Sequence, residues 1–461
     1  MTNPIDTNID TIAAIATPVG EGGIGIIRIS GPGALPATSR VFIPAGSVPL
    51  EERRLVYGRI VQAEPTDGVS TIDNGFAVFM PAPRSYTGED VVELHCHGGS
   101  QVLSRVLSAV LDPSIHPAVR LAVEGEFTRR AFLNSRMDLA QAEAVIDVIR
   151  AGSEGALKAA SARLAGGLSV EINTIKEKLA TALARIEAAL DFPEEEDVEK
   201  NPDNNAGLLT ALEECSEVIK GLIDTYATGS ALRDGVKALI LGRPNTGKSS
   251  LLNTLLKEER AIVTEVAGTT RDVIEEVLDI SGLKIRLMDT AGLRETTDRI
   301  ESLGVAAALG RVEAAELLLF VVDADMVTAV DLELLTLIEE AEGKRILVVA
   351  NKVDLIDGPK RQEVAALFKD RDIVFISALT GDGLKDFEEA IYHSATGASK
   401  EDITQMALVA SVRQKTALEN ALAGIAEAAE SVKKSMDGEF IAVDLRRAIN
   451  HLGEITGEVT T

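Results

Sequence analysis

A chain of 461 residues is too long for one core and calls for two to four domains, and its 46% hydrophobic and 26% charged residues are the balance of a folded globular protein. A formal charge of −26 repels a phosphate backbone at long range, and zero Trp with four Tyr leaves few platforms for base stacking. This excludes a broad-surface nucleic-acid binder, while local contacts, or RNA brought in by a basic partner, stay open. Two cysteines, Cys96 and Cys215, exclude a disulfide framework and a four-ligand zinc site. No run approaches the about 18 apolar residues of a membrane span, and "MTNPIDTNIDTIAA" lacks the basic and apolar regions of a signal peptide. A cytoplasmic protein without a membrane partner is expected.

Residues 1–127 carry short alternating runs such as "IGIIRIS" and "NGFAVFM", broken by "GPG", "PAP" and "TDG" turns, which predicts an α+β domain. "GEGGIG" (Gly20–Gly25) fits a dinucleotide fingerprint, but a strand-like run follows it instead of a helix, and no acid stands about 20 residues on. It reads as a glycine turn. His95, Cys96 and His97 are too few for a metal site, because strand neighbours point to opposite faces, and read as a packed loop. Residues 128–230 turn Ala-, Leu- and Glu-rich with apolar residues at helical spacing, and Cys215 falls on such an apolar face. "PEEEDVEK" (Pro193–Lys200) reads as a solvated acidic helix start. Residues 231–394 alternate near-continuous apolar runs ("VKALILG", "ELLLFVVDA", "RILVVANK", "DIVFISA") with helical segments, the mark of a parallel sheet covered on both faces. Helical texture returns in 395–461, where Arg446 and Arg447 are expected to pair with the acidic stretch in preference to RNA. The predicted architecture is an α/β domain inserted into a helical domain.

"GRPNTGKSS" (Gly242–Ser250) follows a predicted strand and precedes a predicted helix, the context that a phosphate-binding loop requires. Lys248 is placed to neutralise β- and γ-phosphate charge and the Ser249 hydroxyl to ligate Mg²⁺. "DTAG" (Asp289, Thr290, Ala291, Gly292) and "NKVD" (Asn351, Lys352, Val353, Asp354) follow in order, and "SAL" (Ser377, Ala378, Leu379) completes a base pocket. Asp354 accepts from the N1–H and amine of guanine, which adenine does not supply. The expected site for GTP or GDP therefore includes Asn245, Thr246, Gly247, Lys248, Ser249 and Ser250 beside those later segments. "AGTTRD" (Ala267–Asp272) sits where a first switch loop belongs, with Thr270 as a second Mg²⁺ ligand.

Leu293 stands where Ras-type GTPases place the glutamine that orients the attacking water. Asn245 is either a turn residue or a carbonyl ligand for a monovalent cation that neutralises developing phosphate charge. Glu295, Asp298 and Glu301 are the acidic candidates past "DTAG", and residue chemistry does not choose among them.

With Asn245, "AGTTRD", "DTAGLRE", "NKVD", the insertion between helical halves, "YTGEDVVELHCHGG" and "GEFTRRAFLNSRMDLAQAEAV", the chain resembles the MnmE (TrmE) family of tRNA uridine-modification GTPases over essentially its whole length. The resemblance implies a K⁺-activated GTPase whose G domains dimerise across their nucleotide faces without an arginine finger. It puts K⁺ on Asn245, Thr264, Val266 and Thr269, with Thr264 and Thr269 also in the nucleotide site, and gives the catalytic role on the attacking water to Glu301, beside Lys248. It implies an N-terminal tetrahydrofolate-binding domain that forms a constitutive homodimer, with contacts matching Arg28, Glu89 and Arg136 to 5-formyl- or methylene-tetrahydrofolate. A flavin-dependent partner (MnmG, also called GidA), in a heterotetramer or larger, would join it to install an aminomethyl-type group at C5 of the wobble uridine, holding most of the tRNA.

Family members end in Cys-x-Gly-Lys, whereas this sequence ends "NHLGEITGEVTT". Cys96 and Cys215 do not match that motif, and the expectation is a chain that hydrolyses GTP and binds its partner but modifies tRNA poorly. Two other classes compete: an assembly or signalling GTPase acting as a switch, for instance on ribosomes, and a folate-dependent one-carbon enzyme merely regulated by GTP.

Overall fold

Alternation in "VYGRI" and "IGIIRI" sends every second side chain to one face of a sheet, and the N-terminal part folds accordingly. The computed structural model describes residues 10–18, 20–46, 49–64, 68–114, 118–191, 202–257, 276–288, 312–339, 344–397 and 407–458. They fall into two units, Met1–Ala142 and Glu143–Thr461.

In the first unit, β1 (Thr11–Ile15), β2 (Gly22–Ser30), β3 (Phe42–Pro44), β4 (Val56–Ala63), β5 (Val69–Met80), β6 (Val91–Gly98) and β7 (Val119–Leu121) form one sheet in the order β3-β4-β5-β6-β2-β1-β7. Pairing is antiparallel except between β1 and β7. Helices α1 (Ala34–Val41) and α2 (Ser100–Val110) cover one face, burying Val41, Leu103 and Val106 against Ile27, Ile60 and Leu94. On the other face the register aligns Tyr57, Phe76, His95 and Ile26, and Tyr57 and Phe76 stay 52% and 44% exposed. The His95–His97 stretch is strand, not loop, because "VVELHCHG" alternates throughout: Cys96 joins the core while His97 pairs outward with Asp73. Burial pushes the Cys96 thiol up to about 11. Gly22 opens β2, so the glycine run leads into a strand. Helix α3 (Glu126–Leu133) closes this unit's ion network, with α4 (Leu139–Arg150) following.

The second unit continues with α5 (Glu154–Leu164), α6 (Gly167–Asp191), α7 (Pro202–Asp224) and α8 (Tyr226–Asp234). An α/β part then intervenes: β8 (Val236–Leu241), α9 (Lys248–Lys257), β9 (Glu276–Ile280), β10 (Leu283–Leu287), β11 (Leu317–Asp323), α10 (Ala329–Glu339), β12 (Arg345–Asn351), α11 (Gly358–Leu367), β13 (Ile373–Phe375) and α12 (Leu384–Thr396). Helices α13 (Val412–Lys433) and α14 (Gly438–Thr456) return to pack on α6 and α7. The apolar spacing of α6 (Leu168, Ile172, Ile175, Leu179, Ala182) buries one stripe, and a Ser411–Gln414 capping box starts α13.

The inserted sheet runs β13-β12-β11-β8-β10-β9, parallel apart from the β9–β10 hairpin. Its central strands are apolar throughout because both faces are covered: Leu317, Leu319 and Val321 enter one core, Leu318, Phe320 and Val322 the other. Entry to and exit from the insertion are pinned side by side. Thr228 Oγ1 donates to the Thr396 carbonyl at 2.6 Å, and the Val409 N–H donates to Thr225 Oγ1 at 3.0 Å. Adjacent ends let a helical framework carry a whole domain between two of its helices.

Candidate nucleotide site

Parallel order places the loops after β8, β11, β12 and β13 together at the C-terminal edge of the sheet, where ligands of open α/β sheets bind. After β8 the chain turns through Gly242–Gly247 and enters α9 at Lys248. The turn needs positive φ at Gly242 (144°), Asn245 (63°) and Gly247 (93°). A Cβ on Gly247 would stand 2.1 Å from Asn351 Nδ2, so only glycine lets the backbone come this close.

Asn351 is the staple of the site. It is buried, its Nδ2 donates to the Thr246 carbonyl at 2.9 Å, and its Oδ1 accepts from the Ala378 N–H at 2.9 Å. One amide thus joins the phosphate loop, "NKVD" and "SAL". Thr254 Oγ1 adds a bond of 2.9 Å from α9 to the Ala378 carbonyl. Buried Ser377 accepts the Thr380 N–H on its hydroxyl, whereas Leu379 is 86% exposed. Lys352 adopts positive φ (67°) and its Nζ reaches Asp323 at 2.6 Å, and Asp354 lies exposed in the short 3-10 turn Val353–Leu355.

Lys248 Nζ donates to the carbonyls of Gly242 (2.9 Å) and Arg243 (2.6 Å), and burial lowers its pKa. A desolvated ammonium facing neutral carbonyls is suited to an arriving phosphate. Ser249 and Ser250 occupy the first turn of α9, and Asn245 is exposed at the loop apex. Thr264, Val266, Thr269, Thr270, Asp289, Thr290, Ala291, Gly292, Leu293, Glu295, Asp298 and Glu301 lie outside the described residues.

Two supporting groups escaped the motif reading. Arg243 bonds Asp331 Oδ1 through Nε at 2.7 Å, and Asp323 holds Lys352. The only sequence signal was "TAVD" (Thr328–Asp331), a capping pattern that points to a helix start and not to the phosphate loop.

In the first unit, a pocket of about 290 Å³ is lined by residues including Ala14, Ile15, Arg28, Val123 and Phe127. The Arg28 guanidinium lies 5.2 Å from the Tyr86 ring centroid and 5.7 Å from that of Phe127, and pairs with Glu93 at 2.8 Å. Glu89 and Arg136 do not line this pocket. Glu89 accepts from Arg130 (3.1 Å) and Ser30 (2.6 Å), and Arg136 Nε donates to the Ser85 carbonyl at 3.1 Å. In the helical part, Arg446 pairs with Glu187 at 2.6 Å and Arg447 with Glu427 and Asp444, while Pro193–Lys200 lies outside the described residues.

The MnmE helical domain model matches residues 139–461, and that of the GTP-binding protein TrmE N-terminus matches 11–136. The tRNA modification GTPase MnmE of Carboxydothermus hydrogenoformans is 44% identical, covering 97% of this chain and 95% of its own. That of Geobacter sulfurreducens is 42% identical, covering 98% and 96%. Among solved structures, the G domain of the T. maritima FeoB iron transporter is 29% identical over 35% of this chain and 98% of its own, with a TM-score of 0.26. The chain belongs to the MnmE (TrmE) family of tRNA modification GTPases and is a GTP hydrolase of tRNA modification.

Proposed function

We propose that this chain is a K⁺-activated, dimerisation-dependent GTPase whose conformational cycle serves one-carbon chemistry at the wobble uridine of certain tRNAs. The Asn351 staple carries the nucleotide part of this reading, since it joins three nucleotide motifs from separate parts of the chain in one site. GTP is held by Asn245–Ser250, Thr264, Thr269, Thr270, Asp289–Gly292, Asn351, Lys352, Asp354, Ser377, Ala378 and Leu379. Lys248 leaves its two carbonyls for the β- and γ-phosphate oxygens. Ser249 and Thr270 hold Mg²⁺, and Asn245, Thr264, Val266 and Thr269 hold K⁺. An exposed amide at a left-handed loop apex is a neutral oxygen donor that fits an alkali ion. When bound, the two cations neutralise charge on the phosphates. Glu301 acts on the attacking water that Leu293 does not orient.

In the first unit, Arg28 over two aromatic rings beside an apolar pocket fits a flat heterocycle such as a one-carbon-carrying tetrahydrofolate, with Glu89 and Arg136 as further contacts. Glu89 would share its carboxylate with Arg130. The half-exposed Tyr57–Phe76 face supports a homodimer, and the −26 charge supports a flavin-dependent partner (MnmG) that holds most of the tRNA.

The test combines three measurements. Hydrolysis is expected to be markedly faster in K⁺ than in Na⁺ at equal ionic strength, and Glu301→Ala to keep GTP affinity while losing turnover. Wobble-nucleoside analysis of tRNA from cells lacking the protein is expected to show the modification missing. Unchanged nucleosides would leave a switch GTPase without one-carbon chemistry.

A further inference from the structure

We propose that Arg243 and Asp331 form a positioning clamp that sets the direction of the Asn245 amide, and so tunes how strongly the site takes a monovalent cation. The proposal rests on the potassium reading above and deepens it.

Asn245 is exposed, and no described residue bonds its side chain; among the described residues its place is set through its flanks. On the C-terminal side, the Thr246 carbonyl is fixed by Asn351. On the N-terminal side, the Arg243 carbonyl accepts from Thr246 Oγ1 (3.0 Å) and Lys248 Nζ (2.6 Å), bonds internal to the loop. Among the described residues, the Arg243 side chain ties that flank to the start of α10 and the loop before it. Its Nε donates to Asp331 Oδ1 at 2.7 Å and its second terminal nitrogen to the Met326 carbonyl at 3.2 Å.

Asp331 is wholly buried in the first turn of α10, and its Oδ2 accepts the N–H and the hydroxyl of Thr328, each at 2.9 Å. A buried carboxylate so held leaves the guanidinium little freedom, and removing one partner strands the other charge. The φ of Asn245 is 63°, the left-handed region that Asn tolerates in turns, so the direction of its amide is determined by how its two flanks are held. The clamp supplies that determination from one side, and the Asn351 staple supplies it from the other.

Four variants of the full chain test this: Arg243→Gln, Asp331→Asn, the double of these two, and Arg243→Lys. The K⁺ concentration for half-maximal hydrolysis is expected to rise about five- to tenfold in each single variant and no further in the double, as for residues acting through one interaction. GDP affinity should move less. Amide exchange of Gly242–Gly247 in nucleotide-free protein should accelerate, with β11 unchanged. Arg243→Lys, which keeps the charge but not the two-armed geometry, should recover only part. Arg243→Gln leaves the Thr328–Asp331 bonds in place, so it carries the test if Asp331→Asn does not fold. An unchanged K⁺ requirement, or effects that add in the double variant, would overturn the clamp. If the wild type proves indifferent to K⁺ over Na⁺, the potassium reading fails; the clamp then stands on faster exchange of the loop and falls with unchanged exchange.

Discussion

Gly247 and Asn351 show how little space the nucleotide site leaves at the scale of a residue. A methyl group at 247 would meet the amide nitrogen that holds Thr246, and the backbone there has φ 93°, which L side chains rarely adopt. Gly247→Ala should therefore lower GTP and GDP affinity together by about 100-fold or more, with little change in the melting of the helical part, as checked by equilibrium titration beside thermal denaturation. Asp354 is a different kind of residue: exposed, and important only through what it accepts. Asp354→Asn should weaken GTP binding at least about tenfold and favour xanthosine nucleotides, because the replaced carboxylate no longer matches two guanine donors. A competition assay with the two triphosphates decides it.

Elements are locked by carboxylates to which the motifs assign no role. At the start of α3, Glu126 accepts from Arg120 (2.6 Å), the Val123 N–H (2.9 Å) and buried Arg130 (3.1 Å), and Arg130 also holds Asp10. Burial pushes the Glu126 carboxyl up, but the arginines and the amide outweigh it and hold the group at about 2, below its ordinary 4.5. A depressed carboxylate stabilises the fold above its unfolded pKa and loses that contribution as pH falls toward the folded one. The first unit should lose on the order of 2–3 kcal/mol from this group between about pH 4.5 and 2. Glu126→Gln should remove a similar amount at pH 7 and flatten that acid limb in denaturant titrations across the pH range. At this scale, the strands and helices were legible in the sequence wherever period 2 or 3.6 was sustained, as in "IGIIRIS" and α6. The His95–His97 stretch reads as loop when its three residues are taken alone; its alternation shows only with Val92–Leu94 and Gly98 beside it.

Across the whole molecule, the half-exposed face bearing Tyr57 and Phe76 is the surface expected to meet a second copy. Replacing both with Ser should turn a dimer into a monomer at micromolar concentration in sedimentation velocity, without loss of GDP binding by the inserted domain. The motifs and the texture of each segment were readable from the sequence alone, because phosphate loops, base loops and amphipathic stripes are local patterns of a few residues. Which groups hold those loops in place was decided by the tertiary structure. Asn351 meets Thr246 across 105 residues and Arg243 meets Asp331 across 88, pairs that exist only because parallel strands bring their C-terminal ends to one edge. Sequence spacing carries no record of that edge, since each crossover between parallel strands can lengthen or shorten without changing where the strands end.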